Sequence, residues 1–250
     1  MNKEILDFVL ERFSKDEVLA INLTGSRNNN LHREDSDYDL VVVKRPTISS
    51  LLGDYSKPKH SVNEIADYRV YDLVYYINRV AVKGVYNDFE TIYREPIYQH
   101  EDFKVISQML YDNKEKLLNK RGLVYSLKGS LYQIYQKLSN ESGKVDLEKI
   151  KFNKEVANFF RYRTQLEKLL DEDIFYVVFE KDLRSEFLRL KAELPVSIEE
   201  YNKSEFEELI KQIKKVSDRA QEYFEKIKDV KSKERDEVLQ ELISEVLKIC

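Results

Sequence analysis

The chain predicts an α+β architecture: a small mixed-sheet domain over residues 1–98, followed by an all-helical domain over 99–250. Two observations carry that prediction. Short apolar runs rich in β-branched residues stand at 18–21 and 40–43, too short for core helices. From His100 onward, apolar residues recur at spacings of three and four almost without a break.

In chain order, residues 3–14 read as an amphipathic helix with Ile5, Leu6, Val9, Leu10 and Phe13 on one face. The two strand runs follow, with Gly25-Ser26 after the first and Asp37-Tyr38-Asp39 before the second. Strand side chains alternate, so Asp37 and Asp39 are expected on one face and Tyr38 on the other. Residues 46–59 carry two prolines and a glycine and read as a connection with one helical turn. Ala66, Tyr68 and Val70 then alternate with Asp67, Arg69 and Tyr71, which predicts a third strand, and Asp72 is placed to cap a helix over 73–82. Gly84 ends that helix, 85–93 reads as another short one, and Pro96 turns the chain extended. Helices are expected over 101–118, 123–139, 153–170, 182–193, 203–228 and 233–249, with an extended piece at 174–179. The last two read as a terminal hairpin, 203–249. Their apolar stripes (Phe206, Leu209/Ile210, Ile213, Val216, Ala220, Phe224, Ile227 and Val238, Leu239, Leu242, Ile243, Val246) suit either packing on their own domain or a coiled-coil seam in a homo-oligomer.

Composition excludes some classes. The chain is 42% hydrophobic and 35% charged, and no run approaches the roughly 20 apolar residues of a membrane span. Its first residues form an acidic amphipathic helix rather than a basic leader, and its single cysteine is Cys250, so neither a secretion signal nor an internal disulfide is expected. A cytoplasmic protein fits best. The net charge of −4 is uneven: residues 104–168 hold 14 Lys and Arg against 7 Asp and Glu. There Lys128 and Lys137 interleave with Tyr125, Tyr132 and Tyr135, either as plain helix surface or as a face for nucleic acid or nucleotide phosphates. The acidic whole argues against a tight non-specific duplex binder.

The chemistry gathers at 19–43. Two carboxylates a few ångströms apart repel unless a cation lies between them, and a hard divalent ion with oxygen ligands, Mg²⁺ or Mn²⁺, removes that repulsion. Gly25 lets backbone approach a bulky anion, and the Ser26 hydroxyl and amide suit a phosphate. Metal and phosphate on one sheet edge imply phosphoryl or nucleotidyl transfer. Two-metal transfer wants a third carboxylate, for which Asp67 is the first choice and Asp72 the rival. Glycosyltransferases also use Asp-x-Asp, but they need a longer α/β domain before it. A binding module without catalysis would need neither the acids nor the metal. His32, His60 and His100 lack partners at metal-ligand spacing.

The order Gly-Ser, ten residues, Asp-x-Asp and a later strand acid resembles that of the DNA polymerase beta-like nucleotidyltransferase superfamily. More narrowly, Thr24-Gly25-Ser26-Arg27 through Asp37-Tyr38-Asp39 resembles the GSRAYG-x(5)-SDYD motif of the RNA-ligase-associated (RlaP-like) nucleotidyltransferases. The segment from Asp67 to Leu73 resembles that family's D-x-x-x-Y-x-L, and Gly84 to Glu90 a worn form of its N-P-N-x-x-E turn. Phe160 to Leu170 resembles its R-L-x-x-E helix, and residues 182–201 the segment that follows. Asn29-Asn30 stands where the family has Tyr-Gly, and Asn tolerates a left-handed turn best after Gly. The resemblance implies an NMP moved from an NTP, ATP first, to an acceptor hydroxyl with release of pyrophosphate. Asp37, Asp39 and Asp67 would bind the metals, and Gly25, Ser26 and Arg27 the triphosphate. Lys128, Arg161 and Arg163 would line the cleft from the helical side. The acceptor would be an RNA end such as a tRNA, or alternatively a small molecule of the aminoglycoside kind or a protein hydroxyl.

Overall fold

The computed structural model describes residues 3–34, 36–53, 59–62, 66–140, 143, 146, 150–175, 177–227 and 232–249. Cys250 and residues 64–65 of the third expected strand region lie outside them. The architecture is α+β, a five-stranded mixed sheet followed by a helical region. By internal contacts the chain divides into two units, residues 1–119 with 229–250, and residues 120–228.

The first unit begins with α1 (Lys3–Leu10), one turn shorter than its apolar pattern. Its strands are β1 (Val18–Thr24), β2 (Asp39–Lys44), β3 (Lys59–Ser61), β4 (Asp67–Asp72) and β5 (Tyr98–Gln99), in the order β3-β4-β2-β1-β5. β1 and β2 are antiparallel and β2 and β4 parallel, while β3 and β5 pair antiparallel at the two edges. Neither edge strand was legible in the sequence as a strand of its own. Both are too short to set up an alternation, and they form because a neighbour offers a free ladder.

One face of the sheet carries the core. Ile5, Phe8 and Val9 of α1 pack against Ile21, Leu40, Val42 and Tyr68. Alternation therefore sends Asn22, Thr24, Asp39, Asp67, Arg69 and Tyr71 to the opposite face. That second face is covered too, since Tyr71 is buried and forms an edge-to-face pair with Tyr75, so β4 is not the one-sided strand its sequence suggests.

Between the strands lie α2 (Gly25–Asn28) and α3 (Ile48–Leu51), the latter opened by a capping box between Thr47 and Ser50. α4 (Leu73–Ile77) widens into a π-helical turn over Asn78–Lys83, and Gly84 ends it at φ +61. A Cβ on Gly84 would meet Asn119 at 2.9 Å, so the left-handed stop is also a close approach. Carbonyls freed by the wide turn are taken up from a distance. Arg235 Nη2 donates to Ala81 O at 2.9 Å and Val82 O at 2.7 Å, and Asn119 Nδ2 donates to Val82 O at 2.7 Å. α5 (Tyr86–Phe89) and a 3₁₀ turn over Glu90–Tyr93 follow, and then α6 (Lys104–Asp112). α6 stops well before the expected residue 118.

The second unit holds α7 (Lys120–Ser139), α8 (Phe152–Asp171), α9 (Lys181–Glu193) and α10 (Lys203–Lys226). α7 packs on α8 and α10, and α8 on α9. The expected extended piece at 174–179 forms no strand among the described residues; Phe175, Val177 and Phe179 are instead buried. α11 (Lys233–Ile249) returns to the first unit, where it packs on α6. The expected boundary at residue 98 falls inside the first unit, and α10 and α11 fall in different units. Periodicity finds a buried stripe but not the helix that covers it. Among the described residues no helix is long and apolar enough to cross a membrane.

Candidate active site

At one edge of the sheet β1 ends where β2 and β4 begin. Thr24 is the register partner of Asp39, and Asp39 of Asp67, so the three form a row across adjacent strands on the same face. The Asp67 amide donates to the Tyr38 carbonyl at 2.8 Å, which ties the start of β4 to the loop before β2. Asp39 and Asp67 are half-buried. Asp37 is exposed and lies before β2, so it does not share a strand face with Asp39 as alternation predicts.

The cause is Arg27. Its Nη2 donates to Ser36 O at 2.6 Å and Glu34 O at 3.3 Å, and its Nε to Ser36 O at 3.2 Å and Asp37 O at 3.3 Å. The guanidinium also lies 3.7 Å from the centre of the Tyr38 ring. Loop carbonyls drawn onto this fork cannot pair as a strand. Arg27, expected at a phosphate, here donates to the carbonyls of the acidic loop.

Gly25 has φ +66, the left-handed region that glycine enters without strain. A Cβ there would stand 2.5 Å from Asp39 Oδ2. The absent side chain is what lets the Gly-Ser turn lie against the Asp39 carboxylate. The Gly25 amide is not available to an anion, because it donates to Glu90 Oε1 at 2.8 Å. Ser26 follows, half-buried, at the start of α2. Asn30 takes φ +61, the left-handed position that the Asn pair anticipates.

Glu90 is the residue behind this turn. It is fully buried, with Oε1 also 2.6 Å from Thr24 Oγ1 and Oε2 accepting from Asn29 Nδ2 at 2.9 Å. Thr24 Oγ1 is 3.0 Å from the Asn87 carbonyl as well, so one proton is shared between two acceptors. The backbone carbonyl of Glu90 accepts from Asn28 Nδ2 at 2.9 Å. One carboxylate thus holds the end of β1, the glycine and the asparagine turn together. Sequence reading reached Asn87 and Glu90 through a worn motif and could not place them.

Asp88, two residues earlier, was not singled out at all. It is fully buried and accepts from Tyr71 Oη at 3.0 Å, with Arg69 Nη1 at 3.1 Å and Arg79 Nε also paired to it. Burial pushes the Tyr71 hydroxyl up to about 12, and the Asp88 charge adds to that. Burial works against the charge of Arg79, but Asp88 outweighs it and holds the guanidinium above its usual range. Two acids at positions 88 and 90 within an apolar stretch are the sequence signal that was available.

Asp72 stands at the far end of β4. Oδ1 caps α4 by accepting from the Val74 amide at 2.9 Å, and Oδ2 accepts from the Thr47 amide and Ser50 Oγ, each at 2.9 Å. Its oxygens are turned to structure. Among the described residues the Asp67 carboxylate takes no such bond.

The three basic residues expected on the helical side lie in the second unit. Lys128 Nζ donates to Gln221 Oε1 at 2.7 Å beside the Phe224 ring, and Arg163 Nε pairs with Glu167 at 2.9 Å one turn on. Arg161 is buried, with Nη2 2.8 Å from Tyr162 Oη. Each of these contacts serves its own helix or its neighbour.

Among the described residues, no three His, Cys, Asp or Glu side chains stand together as a ready metal cage. The donor chemistry at the edge still suits a hard cation: two carboxylates in register on parallel strands, with a third acid on the adjoining loop.

No family model matches the chain, and no curated protein matches it. Among solved structures, the crystal structure of a nucleotidyltransferase-like protein from Exiguobacterium sibiricum 255-15 is similar over 99% of this chain and 76% of that one, at 11% identity and a TM-score of 0.31.

Proposed function

We propose that the chain is a metal-dependent nucleotidyltransferase that moves an NMP from an NTP, ATP first, to an acceptor hydroxyl. The observation that carries this is the row Thr24, Asp39, Asp67, with Gly25 closed against Asp39 where any other residue would collide. Such a row brings paired carboxylates beside the Gly-Ser turn at one sheet edge, which supports the reading.

Asp39 and Asp67, joined by Asp37, are the residues that would hold Mg²⁺ or Mn²⁺. A divalent ion bound there neutralises triphosphate charge and acidifies the acceptor hydroxyl. The chain's own groups do the rest. Ser26 donates its hydroxyl to a β- or γ-phosphate oxygen. Asp67 orients the acceptor and takes its proton as the acceptor oxygen bonds to the α-phosphorus. The bond from the α-phosphorus to its bridging oxygen breaks, and pyrophosphate leaves. Glu90 and Arg27 act as positioning residues, one behind the Gly-Ser turn and one beneath the acidic loop. Positioning and charge neutralisation supply most of the catalysis in such transfers.

The acceptor favoured is an RNA end. On α7, Tyr125 is 59% and Tyr132 55% exposed, two turns apart with Lys128 between them, in the basic stretch of the chain. Exposed rings at that spacing, in a basic stretch, suit stacked, single-stranded bases. A cytoplasmic site of action accords with both substrates.

The test is incubation with each α-³²P-labelled NTP, Mg²⁺ or Mn²⁺ and a mixed tRNA pool, beside an Asp37→Ala/Asp39→Ala control. Label on RNA with the native chain alone supports the reading and names the donor. Label on protein or on a small molecule moves the acceptor. Absence of metal-dependent NTP binding refutes it.

A further inference from the structure

Within the first unit lies a cavity of about 570 Å³ between β1, the turn after Glu90 and α6. That volume falls within the roughly 300–1,000 Å³ of small-molecule sites. Its lining is polar and cationic. Arg94 and Lys104 face it, and Glu95 is the one carboxylate among its described lining residues. Asn22 of β1 also lines it at 3% exposure, and its Nδ2 has no hydrogen-bond partner among the described residues. A buried amide donor left unpaired costs free energy, so an acceptor from outside the chain would remove a standing penalty.

Two tyrosines complete the lining, Tyr93 and Tyr111. Lys114 Nζ sits 4.0 Å from the Tyr111 ring centre and 6.0 Å from that of Tyr93, which adds a third cation beside them. Burial pushes the Tyr93 hydroxyl above its ordinary range. Two cations, Arg94 and Lys104, stand against one carboxylate in the lining, Lys104 also reaching Glu101 Oε1 at 3.3 Å, and flat rings lie beside them. The chemistry that satisfies all of these is a phosphate carried on a planar ring.

We propose that this cavity binds a small phosphorylated ligand of nucleoside monophosphate size. Its phosphate lies between Arg94 and Lys104, a ligand acceptor meets Asn22, and its ring rests on Tyr93 or Tyr111. The site is separate from the row of carboxylates and does not need a metal. It touches the catalytic turn at one point, since Arg94 Nη1 lies 3.5 Å from the Arg27 carbonyl. The inference does not depend on nucleotidyl transfer being the activity.

The experiment is calorimetric titration of the full chain in EDTA with AMP, ribose 5-phosphate and inorganic phosphate as probes. The native chain and the Asp37→Ala/Asp39→Ala chain should bind AMP alike, more tightly than ribose 5-phosphate, and phosphate most weakly. Lys104→Ala should weaken AMP at least tenfold. Asn22→Leu, which fills the same space without a polar atom, should also weaken AMP while raising the melting temperature, so that lost binding cannot be read as lost folding. Three results would overturn the proposal: no saturable binding of any probe, AMP no tighter than inorganic phosphate, or AMP binding that survives Lys104→Ala but vanishes in the Asp37→Ala/Asp39→Ala chain. The last would assign the ligand to the carboxylate edge.

Discussion

Strand β4 has an aspartate at each end, and the two have opposite fates. Asp72 spreads its two oxygens over Val74, Thr47 and Ser50 and so builds the join between α3 and α4. Asp67 sits in register with Asp39 beside the Gly-Ser turn and takes no side-chain bond among the described residues. The same residue type on the same strand is structural at one end and available at the other. What differs is whether donors of the fold reach it. A carboxylate already given three donors has little to offer a cation, whereas one facing another carboxylate needs a cation.

The widest way to break this contrast is to mutate both ends. Asp39→Ala and Asp67→Asn should each lower NTP turnover by on the order of 10²–10³-fold, the loss typical when a charge-stabilising group is removed. Asp72→Asn, measured in the same α-³²P transfer assay, should stay near the native rate. Equal losses at Asp67 and Asp72, or a loss at Asp72 alone, would show that the wrong end had been chosen.

A sharper probe is the turn that closes on Asp39. Gly25→Ala forces a Cβ into the Asp39 carboxylate and into a left-handed backbone position, which costs about 1–2 kcal/mol for the backbone alone. Denaturant unfolding should show at least that loss, and transfer should fall with it. Glu90→Gln tests the support behind the same turn. An amide nitrogen would replace an acceptor that now faces Thr24 and Gly25 or Asn29, leaving a buried donor against donors at about 1–3 kcal/mol. Both the midpoint of unfolding and the transfer rate should drop.

Smaller is the effect at the structural end. Asp72→Ala removes the cap of α4 and should cost about 1 kcal/mol, read as a lower melting temperature with turnover retained. Last is the pH dependence that Tyr71 confers, which shows only in alkali. Its pKa in the fold, about 12 against the ordinary 10.0, exceeds the unfolded value, so the fold favours the protonated hydroxyl. That contribution is complete below pH 10 and is lost as pH rises through 10 to 12. Denaturant titrations across that range should show falling stability, and Tyr71→Phe should make the decline shallower.

Much of this contrast was legible in the sequence. Asp72 stands just before an apolar helical run, where a cap is expected, and it caps. The Asn pair announces a left-handed turn, and Asn30 makes it. The acids at 37, 39 and 67 could be nominated because strand runs bracket them. Their relation to one another could not. Asp37 was expected beside Asp39 on a strand, but Arg27 draws the carbonyls of residues 34, 36 and 37 onto its fork and keeps that stretch a loop. Glu90 and Asp88 carry no periodic signal, because their partners come from β1, α2, β4 and the turn after α4.

The sequence by itself determined the central elements: β1 and β2 from short apolar runs, β4 from alternation, most helices from three-and-four spacing, stops at Gly84 and Pro96, and an α+β order with helices last. Those are local outcomes, set by backbone preference and by which face of an element is apolar. Tertiary structure alone decided that Asp39 and Asp67 are register neighbours, that Arg27 serves the loop rather than standing free, and that α10 and α11 belong to different units. It also brought Arg235 to carbonyls more than 150 residues away in sequence. Periodicity states which side of a strand or helix must be covered. Which residue covers it is settled by the packing of the chain as a whole, where each buried donor and acceptor must find a partner wherever in the sequence that partner lies.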